Sequence, residues 1–501
     1  GWVFKGWVEK DFINSAKGRG LILNRKGCTA KKGTVLMQCD PYVAVQDQEQ
    51  EDNPESQVSL PVPEGWSSVQ VKHFASLTYQ LESAIIERAR KKQKKDITSL
   101  FLTMRMLVRL LIYRFLGAKD SGKFISLKDL HSHWYDLPYE RVSFYAQMAT
   151  LIKEIVGSTI CPDTKECAML LGMLQCNALS VPSTVDLSPM GMGVYLDLCL
   201  INHDANPNAL VVFHNWTATL TAIRDIQPGE EITIDYITSP LTRAERCKTL
   251  ESEFFLNRTD AIEAEKDGPN ASEEDIKQLH KMEADIRKNL DDMNYLISNS
   301  NAQNEDDDMS GMPEEQRAIW RHAKMVWKGL NESIGLYRKA YGKHSPYISH
   351  QLLMAGKMGY YLGHIDSVPM LIECTDRLYI THGTSHPLYL AAEKLLYFAR
   401  KDLPYENQAE IEPPEKHVPP KIKQKKKSSN KSRIRRDEMS PPNLEEVQKR
   451  LEKLELISEN QDLNDTLDVS TYLGSRIEEE YEEWNRRVPE WEADTPDPES
   501  E

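Results

Sequence analysis

The stretch GVYLDLCLINHDANPNALVVFHNWTATLTAIRDIQPGEEITIDY, residues 193–236, decides the fold of this chain. Within it, the polar pair Asn202-His203 directly follows an apolar run over residues 196–201, and this run predicts a buried strand. Asp235-Tyr236 closes the stretch. Polar side chains at the end of a buried segment require hydrogen-bond partners or a ligand, so the pair is a candidate functional site. Taken alone, an Asn-His pair is more often a turn or a satisfied core pair.

Size and composition indicate an intracellular protein of two or three domains. The chain has 501 residues, of which 40% are hydrophobic, and this is enough to form real cores. No apolar stretch approaches the roughly 20 residues that a membrane span requires, so no membrane association is expected. The eight cysteines form no CxxC pair in a chain too long to need disulfide bonds, which indicates reduced thiols.

The charge is unevenly distributed along the chain. The formal net charge of −15 argues against nucleic-acid binding by the protein as a whole. Residues 416–436 nevertheless contain ten Lys or Arg and no acidic residue. This basic run could be a nuclear-import signal or a weak polyanion contact, and a solvated, disordered linker explains it equally well. We therefore expect a cytoplasmic and nuclear protein.

The first half of the chain mixes strand and helix signals. Strands are expected around residues 21–23 and 35–39, with a KGRG turn at residues 17–20. Polar, acidic residues from 46 to 64 indicate an exposed loop, and helices are expected from about residue 71 to residue 156. A second block of strands and turns then ends near Tyr236.

The second half is helical. Apolar residues recur every three or four positions over residues 272–297, behind a Ser272 N-cap, and this predicts one amphipathic helix. Shorter helices are expected at 350–362, 367–380 and 387–400, because Gly and Pro punctuate them at their ends. These antiparallel pairs have the size of tetratricopeptide repeats, although the consensus residues of that repeat are not clearly present.

Several motifs, taken in order, resemble a known family. NHDANPN, TAIRDIQPGEEITIDYI and LTRAERCKTLESEFF resemble the second half of a SET domain, the fold of protein-lysine methyltransferases, and KGRG resembles its first cofactor loop. Over roughly residues 10–400 the arrangement is similar to the SET-and-MYND (SMYD) family. In that family a MYND zinc finger and a helical insert split the SET domain, and a post-SET zinc site and a tetratricopeptide-like domain follow it.

The resemblance implies an α+β fold in which a SET β-fold with its pseudoknot is split by a helical insert. An all-α, tetratricopeptide-like domain and a disordered tail follow. The expected boundaries are 1–45 and 169–256 for the two SET parts, 46–70 for a loop in place of the finger, 71–168 for the insert, 257–403 for the helical domain and 404–501 for the tail.

The resemblance also implies a set of site residues for S-adenosylmethionine and for the substrate lysine. The residues that match cofactor contacts are Lys17, Gly18, Arg19, Asn177, Asn202, His203 and Tyr236. Tyr195 and Tyr236 match the aromatic residues of the lysine channel, and Tyr236 is the leading catalytic candidate. Methyl transfer to an amine is an in-line displacement, so positioning supplies most of the catalysis. Without the motif, Tyr195 would be interpreted as a half-buried core aromatic.

The chain departs from the family at its zinc sites. Residues 40–160 contain no cysteine, so a MYND finger has no ligands there. Ala205, Arg258 and Asp260 stand where the family has post-SET cysteines, and joint loss predicts that no zinc is bound. Leu256 replaces an aromatic that covers the adenine, and packing of the adjacent Phe255 could substitute for it. His131-x-His133 is interpreted as a surface or capping pair, and the expected metal set is none.

Three functions remain open on this evidence. The first is a protein-lysine methyltransferase that acts on exposed histone or non-histone lysines, with an acidic helical domain suited to lysine-rich partners. The second is a SET-fold pseudoenzyme that serves as a scaffold or transcriptional co-regulator and binds proteins through its helical domain. The third, a nucleic-acid binder that uses the basic run, is the weakest because of the overall charge.

Overall fold

The computed structural model describes residues 7–14, 18–46, 66–92, 98–118, 122, 124–161, 163–183, 187–300 and 314–403. The expected loop is therefore covered only at its two ends, and the tail from residue 404, with its basic run, lies outside the described residues. The described chain divides into two compact units, one up to Ser272 and one from Glu273.

Ten strands form three sheets in the described part of the first unit. The strands are β1 (Val8–Asn14), β2 (Gly18–Leu23), β3 (Val35–Cys39), β4 (Val43–Gln46), β5 (Ala178–Pro182), β6 (Pro189–Val194), β7 (Asn202–His203), β8 (Ala209–His214), β9 (Thr217–Ala222) and β10 (Glu231–Ile234). Their orders are β1-β2-β10-β7, β3-β9-β8 and β4-β6-β5. Each sheet joins strands from before and after residue 100, so the two sequence blocks build one β-fold.

Helices separate these two blocks and follow the second. The first unit contains α1 (Ser68–Lys92), α2 (Thr98–Phe115), α3 (Tyr139–Val156), α4 (Thr164–Asn177), α5 (Arg243–Glu253) and α6 (Arg258–Glu265). Helix α2 is buried along most of its length, from Leu102 to Tyr113, and packs on β4. The expected helical insert is confirmed. Helix α6 belongs to the first unit, although the boundary expected after residue 256 assigns it to the helical domain.

A buried ionic cluster ties the insert to the β-fold. The Glu82 carboxylate of α1 accepts hydrogen bonds from Nε of Arg105, at 2.8 Å, and from Nε and Nη2 of Arg109. The same two arginines donate from Nη1 to the β4 carbonyls of Gln46 and Ala44, at 2.9 and 3.0 Å. One carboxylate thus orients two guanidinium groups, and both guanidinium groups hold the backbone of one strand.

The expected buried strand at residues 196–201 is wrong. Residues Leu198–Leu200 form a 3₁₀ helix, and the backbone N–H groups of Leu198 and Ile201 each donate to the carbonyl three residues earlier. The strand β7 is only the pair Asn202-His203. The apolar side chains of this run are buried as expected, but burial on all sides does not distinguish a strand from a tight helical turn.

The second unit is all-helical in its described part. Its helices are α7 (Glu273–Ser300), α8 (Glu314–Ala340), α9 (Pro346–Tyr361), α10 (Ser367–Thr381) and α11 (Pro387–Asp402). The four helices expected from the sequence are confirmed within a few residues. Local caps explain two of the starts: Ser345 Oγ accepts from Tyr347 N, His386 Nδ1 accepts from Leu388 N, and a proline occupies the first helical position in both cases.

Glu82→Ala should strongly destabilise the first unit, because it leaves two buried guanidinium groups without their carboxylate. We expect a loss of about 3–5 kcal/mol in the free energy of unfolding, measured by denaturant titration. Glu166→Ala is the matched control, since its pair with Arg114 is exposed, and it should cost less than about 1 kcal/mol. Equal losses in the two variants would contradict a structural role for the buried cluster.

Candidate active site

Two polar dipeptides meet where β7 and β10 end. The strands are parallel, with Asn202 opposite Thr233 and His203 opposite Ile234. The Asp204 N–H donates to the carbonyl of Ile234 at 3.0 Å, which continues the pairing beyond the strands. Asp235-Tyr236 follows β10 directly, so the parallel pairing places it beside Asn202-His203. Two motifs more than 30 residues apart in sequence therefore form one site.

His203 is held at both ring nitrogens, and its side chain is 1% exposed. Its Nδ1 accepts the backbone N–H of Tyr236 at 3.0 Å. An imidazole nitrogen that accepts a hydrogen bond carries no proton, so the neutral ring carries its proton on Nε2. That Nε2–H donates to Oε1 of Glu265 at 2.9 Å. The imidazole thus connects a carboxylate on α6 to the backbone of Tyr236.

Arg246 of α5 completes this buried cluster. Its Nε donates to Oε2 of Glu265 at 2.7 Å, and its Nη2 donates to both carboxylate oxygens of Asp235 at 2.8 and 3.0 Å. Burial acts to raise the pKa of Glu265, but hydrogen bonds from His203 and Arg246 hold that pKa below its usual value. Burial raises the pKa of Asp235, against the opposing attraction of the Arg246 guanidinium. The guanidinium therefore compensates two carboxylates.

The Tyr236 hydroxyl is neutral, and its proton already takes part in a hydrogen bond. The hydroxyl donates to the carbonyl of Ile201 at 2.6 Å, and the ring lies 5.2 Å from His203 and 4.8 Å from Phe254 between ring centres. Burial raises the pKa of the hydroxyl far above its ordinary value, so it stays protonated at neutral pH. A hydroxyl has one proton to donate, so the lone pairs of this oxygen can only accept.

Asn202 joins β7 to Arg19 of the KGRG motif, which resembles the first cofactor loop of a SET domain. Its Nδ2 donates to Oε1 of Glu231 at 2.9 Å and to the carbonyl of Arg19 at 3.3 Å. Gly20 is required for this approach, since a Cβ there would lie 2.8 Å from Asn202 Nδ2. Gly18 has φ +68°, which favours glycine, and a Cβ there would meet open space. Arg19 donates from Nη2 to the carbonyl of Asp129 at 2.6 Å, and Lys17 lies outside the described residues.

The structure brings His133 to Phe255, which the sequence does not indicate. The two rings are stacked, with centres 4.6 Å apart and planes 10° apart, and both residues have positive φ. His133 Nδ1 also lies 3.1 Å from Oδ2 of Asp136. Burial, followed by the nearby charge of Arg19, lowers the pKa of the neighbouring His131. The histidine pair, interpreted from the sequence as a surface or capping feature, therefore lies near Arg19 of the KGRG motif. Sequence spacing alone could not predict this, because the tertiary fold brings the two segments together.

Two further sequence candidates make hydrogen bonds to backbone carbonyls. Tyr195 is fully buried, its hydroxyl donates to the carbonyl of Trp216 at 2.8 Å, and its ring packs edge-on against Phe213. These are the contacts of a core aromatic and favour a structural role, so the assignment of Tyr195 to the lysine channel stays a prediction that a variant can test. Asn177 Nδ2 donates to the carbonyls of His131 and Met173 at 3.0 and 2.8 Å, so this amide group supports the His131 loop.

Two of the positions where the resemblance would place zinc cysteines make backbone hydrogen bonds. Ala205 is buried, and its N–H donates to the carbonyl of Ala264 at 3.2 Å. The Asp260 N–H donates to Asn257 Oδ1, which caps α6. Among the residues that the structure describes, no group of three or more His, Cys, Asp or Glu side chains is arranged to hold a metal ion.

Comparison with known proteins agrees with this geometry. The model of the SET domain matches residues 18–237, which run from the first cofactor-like loop to the residue after Tyr236. Residues 18–237 therefore form a SET domain. The matched segment covers β2 to β10 and the helical insert between the two strand blocks. It does not extend to Arg246 or Glu265, and the sequence does not indicate these two as site residues because α5 and α6 have the charged composition of surface helices.

The SET-domain chain is related to the SMYD and ASHR1 lysine methyltransferases. It is 30% identical over 182 residues to histone-lysine N-methyltransferase ASHR1 of Arabidopsis thaliana, covering 35% of this chain and 37% of that protein. It is 28% identical over 158 residues to histone-lysine N-methyltransferase SMYD3 of Homo sapiens, covering 30% and 37%. The chain thus spans little more than a third of these relatives.

A solved structure entitled "Structure of Rubisco LSMT bound to AdoMet" aligns with 81% of this chain and 91% of that chain. The sequence identity is 13% and the TM-score is 0.28, which is too low to support any conclusion. Among the helices that the structure describes, none combines the length and the apolar character needed to cross a membrane.

Tyr195→Phe tests whether Tyr195 has a structural role in the core or belongs to the candidate site. We expect it to lower the free energy of unfolding by about 1–3 kcal/mol, because the buried Trp216 carbonyl loses its donor. Affinity for S-adenosylmethionine, measured by calorimetry, should stay unchanged. Loss of that affinity at a temperature where the variant is fully folded would place Tyr195 in the site.

Proposed function

We propose that this protein is an S-adenosylmethionine-dependent protein-lysine N-methyltransferase that acts on exposed lysines of histones or other proteins. One observation carries the proposal: the Tyr236 hydroxyl is neutral, its proton is committed to Ile201, and its oxygen is left as an acceptor beside Asn202-His203. An acceptor at this point can orient the N–H of an amine. The relation to proteins named lysine methyltransferases supports the same reaction class.

The residues around this site fit the cofactor. Gly18 offers backbone with open space around its Cα, and the Arg19 guanidinium suits a carboxylate. The stacked rings of Phe255 and His133 offer an aromatic surface suited to an adenine. We assign Lys17, Asn177, Asn202 and His203 to the same site from the motif. When bound, S-adenosylmethionine supplies an electron-poor methyl group, and no zinc is assigned a role.

The chain's own residues would act by positioning and by desolvation. The Tyr236 oxygen would accept an N–H from the substrate amine and fix the direction of its lone pair. The Tyr236 hydroxyl is buried, and the ring of Phe254 packs against the Tyr236 ring. Removal of water disfavours the ammonium form of a lysine, so the site would favour the neutral amine that can react.

We also propose binding partners and a cellular location. The partner is a protein with an exposed lysine, and the all-helical second unit is proposed to bind further proteins. Nucleic-acid and membrane partners are not proposed. A cytoplasmic and nuclear location is consistent with the absence of CxxC pairs and with the basic run at residues 416–436.

The first test is calorimetric titration of the purified chain with S-adenosylmethionine, followed by labelled methyl transfer to a protein array. Tyr236→Phe should bind the cofactor with near wild-type affinity and lose on the order of 10²-fold in transfer rate, because the amine is no longer oriented. Tyr195→Phe is the matched control, since the hydroxyl it removes donates to the carbonyl of Trp216 and not to Ile201, and it should keep wild-type transfer.

Three outcomes would count against parts of the proposal. Absence of cofactor binding by the wild-type chain would exclude the proposed methyltransferase activity. Cofactor binding without transfer to any protein would favour the alternative of a SET-fold scaffold or transcriptional co-regulator. Wild-type transfer by Tyr236→Phe would remove Tyr236 from its catalytic role and leave the fold unaffected.

A further inference from the structure

A fully buried carboxylate supports the site from outside the matched SET segment. Glu265 is the last residue of α6 and is 0% exposed, whereas the SET match ends at residue 237. Both of its oxygens are engaged: Oε1 accepts from His203 Nε2 at 2.9 Å and from Arg246 Nη2 at 3.1 Å, and Oε2 accepts from Arg246 Nε at 2.7 Å. The carboxylate therefore has one orientation, set by three donors.

We propose that Glu265 is a positioning residue for the methyl-transfer site and acts on Tyr236 through His203. This inference rests on the proposed function, and Glu265 itself touches neither substrate nor cofactor. The path has two hydrogen bonds, from His203 Nε2 to Glu265 and from the Tyr236 backbone N–H to His203 Nδ1. Arg246 is its support, because it holds Glu265 and Asp235 at once.

Loss of the acceptor at Glu265 has a defined physical consequence. The Nε2–H of His203 would be buried without a partner, and a buried donor without a partner is costly. The ring could relieve that cost by turning, and then Nδ1 would no longer face the N–H of Tyr236. The Tyr236 ring packs against His203, so its hydroxyl would move as well. A displacement of about 1 Å is enough to cost on the order of 10²-fold in rate.

The backbone around Glu265 is fixed to the same turn that carries His203. The Ala205 N–H donates to the carbonyl of Ala264, the residue before Glu265. Gly268 then packs closely on Ala205, since a Cβ on Gly268 would lie 2.5 Å from Cβ of Ala205. At its other end α6 is capped by Asn257. The helix thus presents Glu265 to His203 from a backbone position that is itself bonded to the site.

The test uses the full chain as wild type, Glu265→Leu, Glu265→Gln and the control Glu263→Gln. Leu keeps the bulk and removes the acceptor, whereas Gln keeps an amide oxygen that can accept from His203. Glu263 lies on the same helix with its side chain 70% exposed and paired with Lys266. The comparison therefore separates loss of the acceptor from loss of a charge on α6.

The first readout is hydrogen exchange by mass spectrometry on a peptide that spans residues 232–238, and it needs no activity. In Glu265→Leu the Tyr236 amide should exchange about tenfold faster or more, because its acceptor is no longer held. Glu265→Gln should restore most of the protection, and Glu263→Gln should match the wild type. Wild-type protection in Glu265→Leu would overturn the proposal, as would equal loss in Leu and Gln.

The second readout is kcat for methyl transfer at saturating cofactor, well below the melting temperature of each variant. Glu265→Leu should lose tenfold or more in kcat, and Glu265→Gln should lose less. A wild-type chain that transfers no methyl group would contradict the proposed function, while the exchange measurement would still decide the role of Glu265. An active wild type with an equally active Glu265→Leu variant would contradict the inference alone.

Discussion

The hydrogen bond from His203 Nε2 to Glu265 is the interaction on which the site depends. Because Nε2 donates to this carboxylate, Nδ1 is left to accept the backbone N–H of Tyr236. The opposite tautomer would break both bonds in a place where His203 is almost fully buried. One proton position on one imidazole therefore fixes the relation between the end of β7, the end of β10 and helix α6.

The charged side chains of this cluster can be buried only because they are paired with one another. A buried carboxylate or guanidinium alone would be strongly unfavourable, and burial of an ion pair is rarely a net gain. Here Arg246 serves Glu265 and Asp235 together and also donates to the carbonyl of Ile237 at 3.2 Å. Such a cluster contributes geometry more than stability. It joins α5 and α6 to the SET domain.

Much of the fold followed from the sequence, and the site followed in part. Periodic apolar residues and Pro or Gly at helix ends were sufficient for the helices of the second unit, and the motifs indicated the SET β-fold. Glu265 was not predictable, because α6 has the charged composition of a surface helix and only tertiary contacts bury its last residue. The stack of His133 on Phe255 likewise joins loops more than 100 residues apart. The complete burial of Tyr195 was not predictable either, because an aromatic beside a motif has the same sequence signal in the core.

Long-range proton–nitrogen NMR at neutral pH can determine the tautomer of His203. This measurement tests the two hydrogen bonds of the His203 ring directly. The His203 signals would be assigned by their loss in His203→Gln. The hydrogen bonds predict a neutral ring with its proton on Nε2, because Nδ1 accepts from Tyr236. A neutral ring with its proton on Nδ1, or a doubly protonated imidazolium at neutral pH, would contradict it.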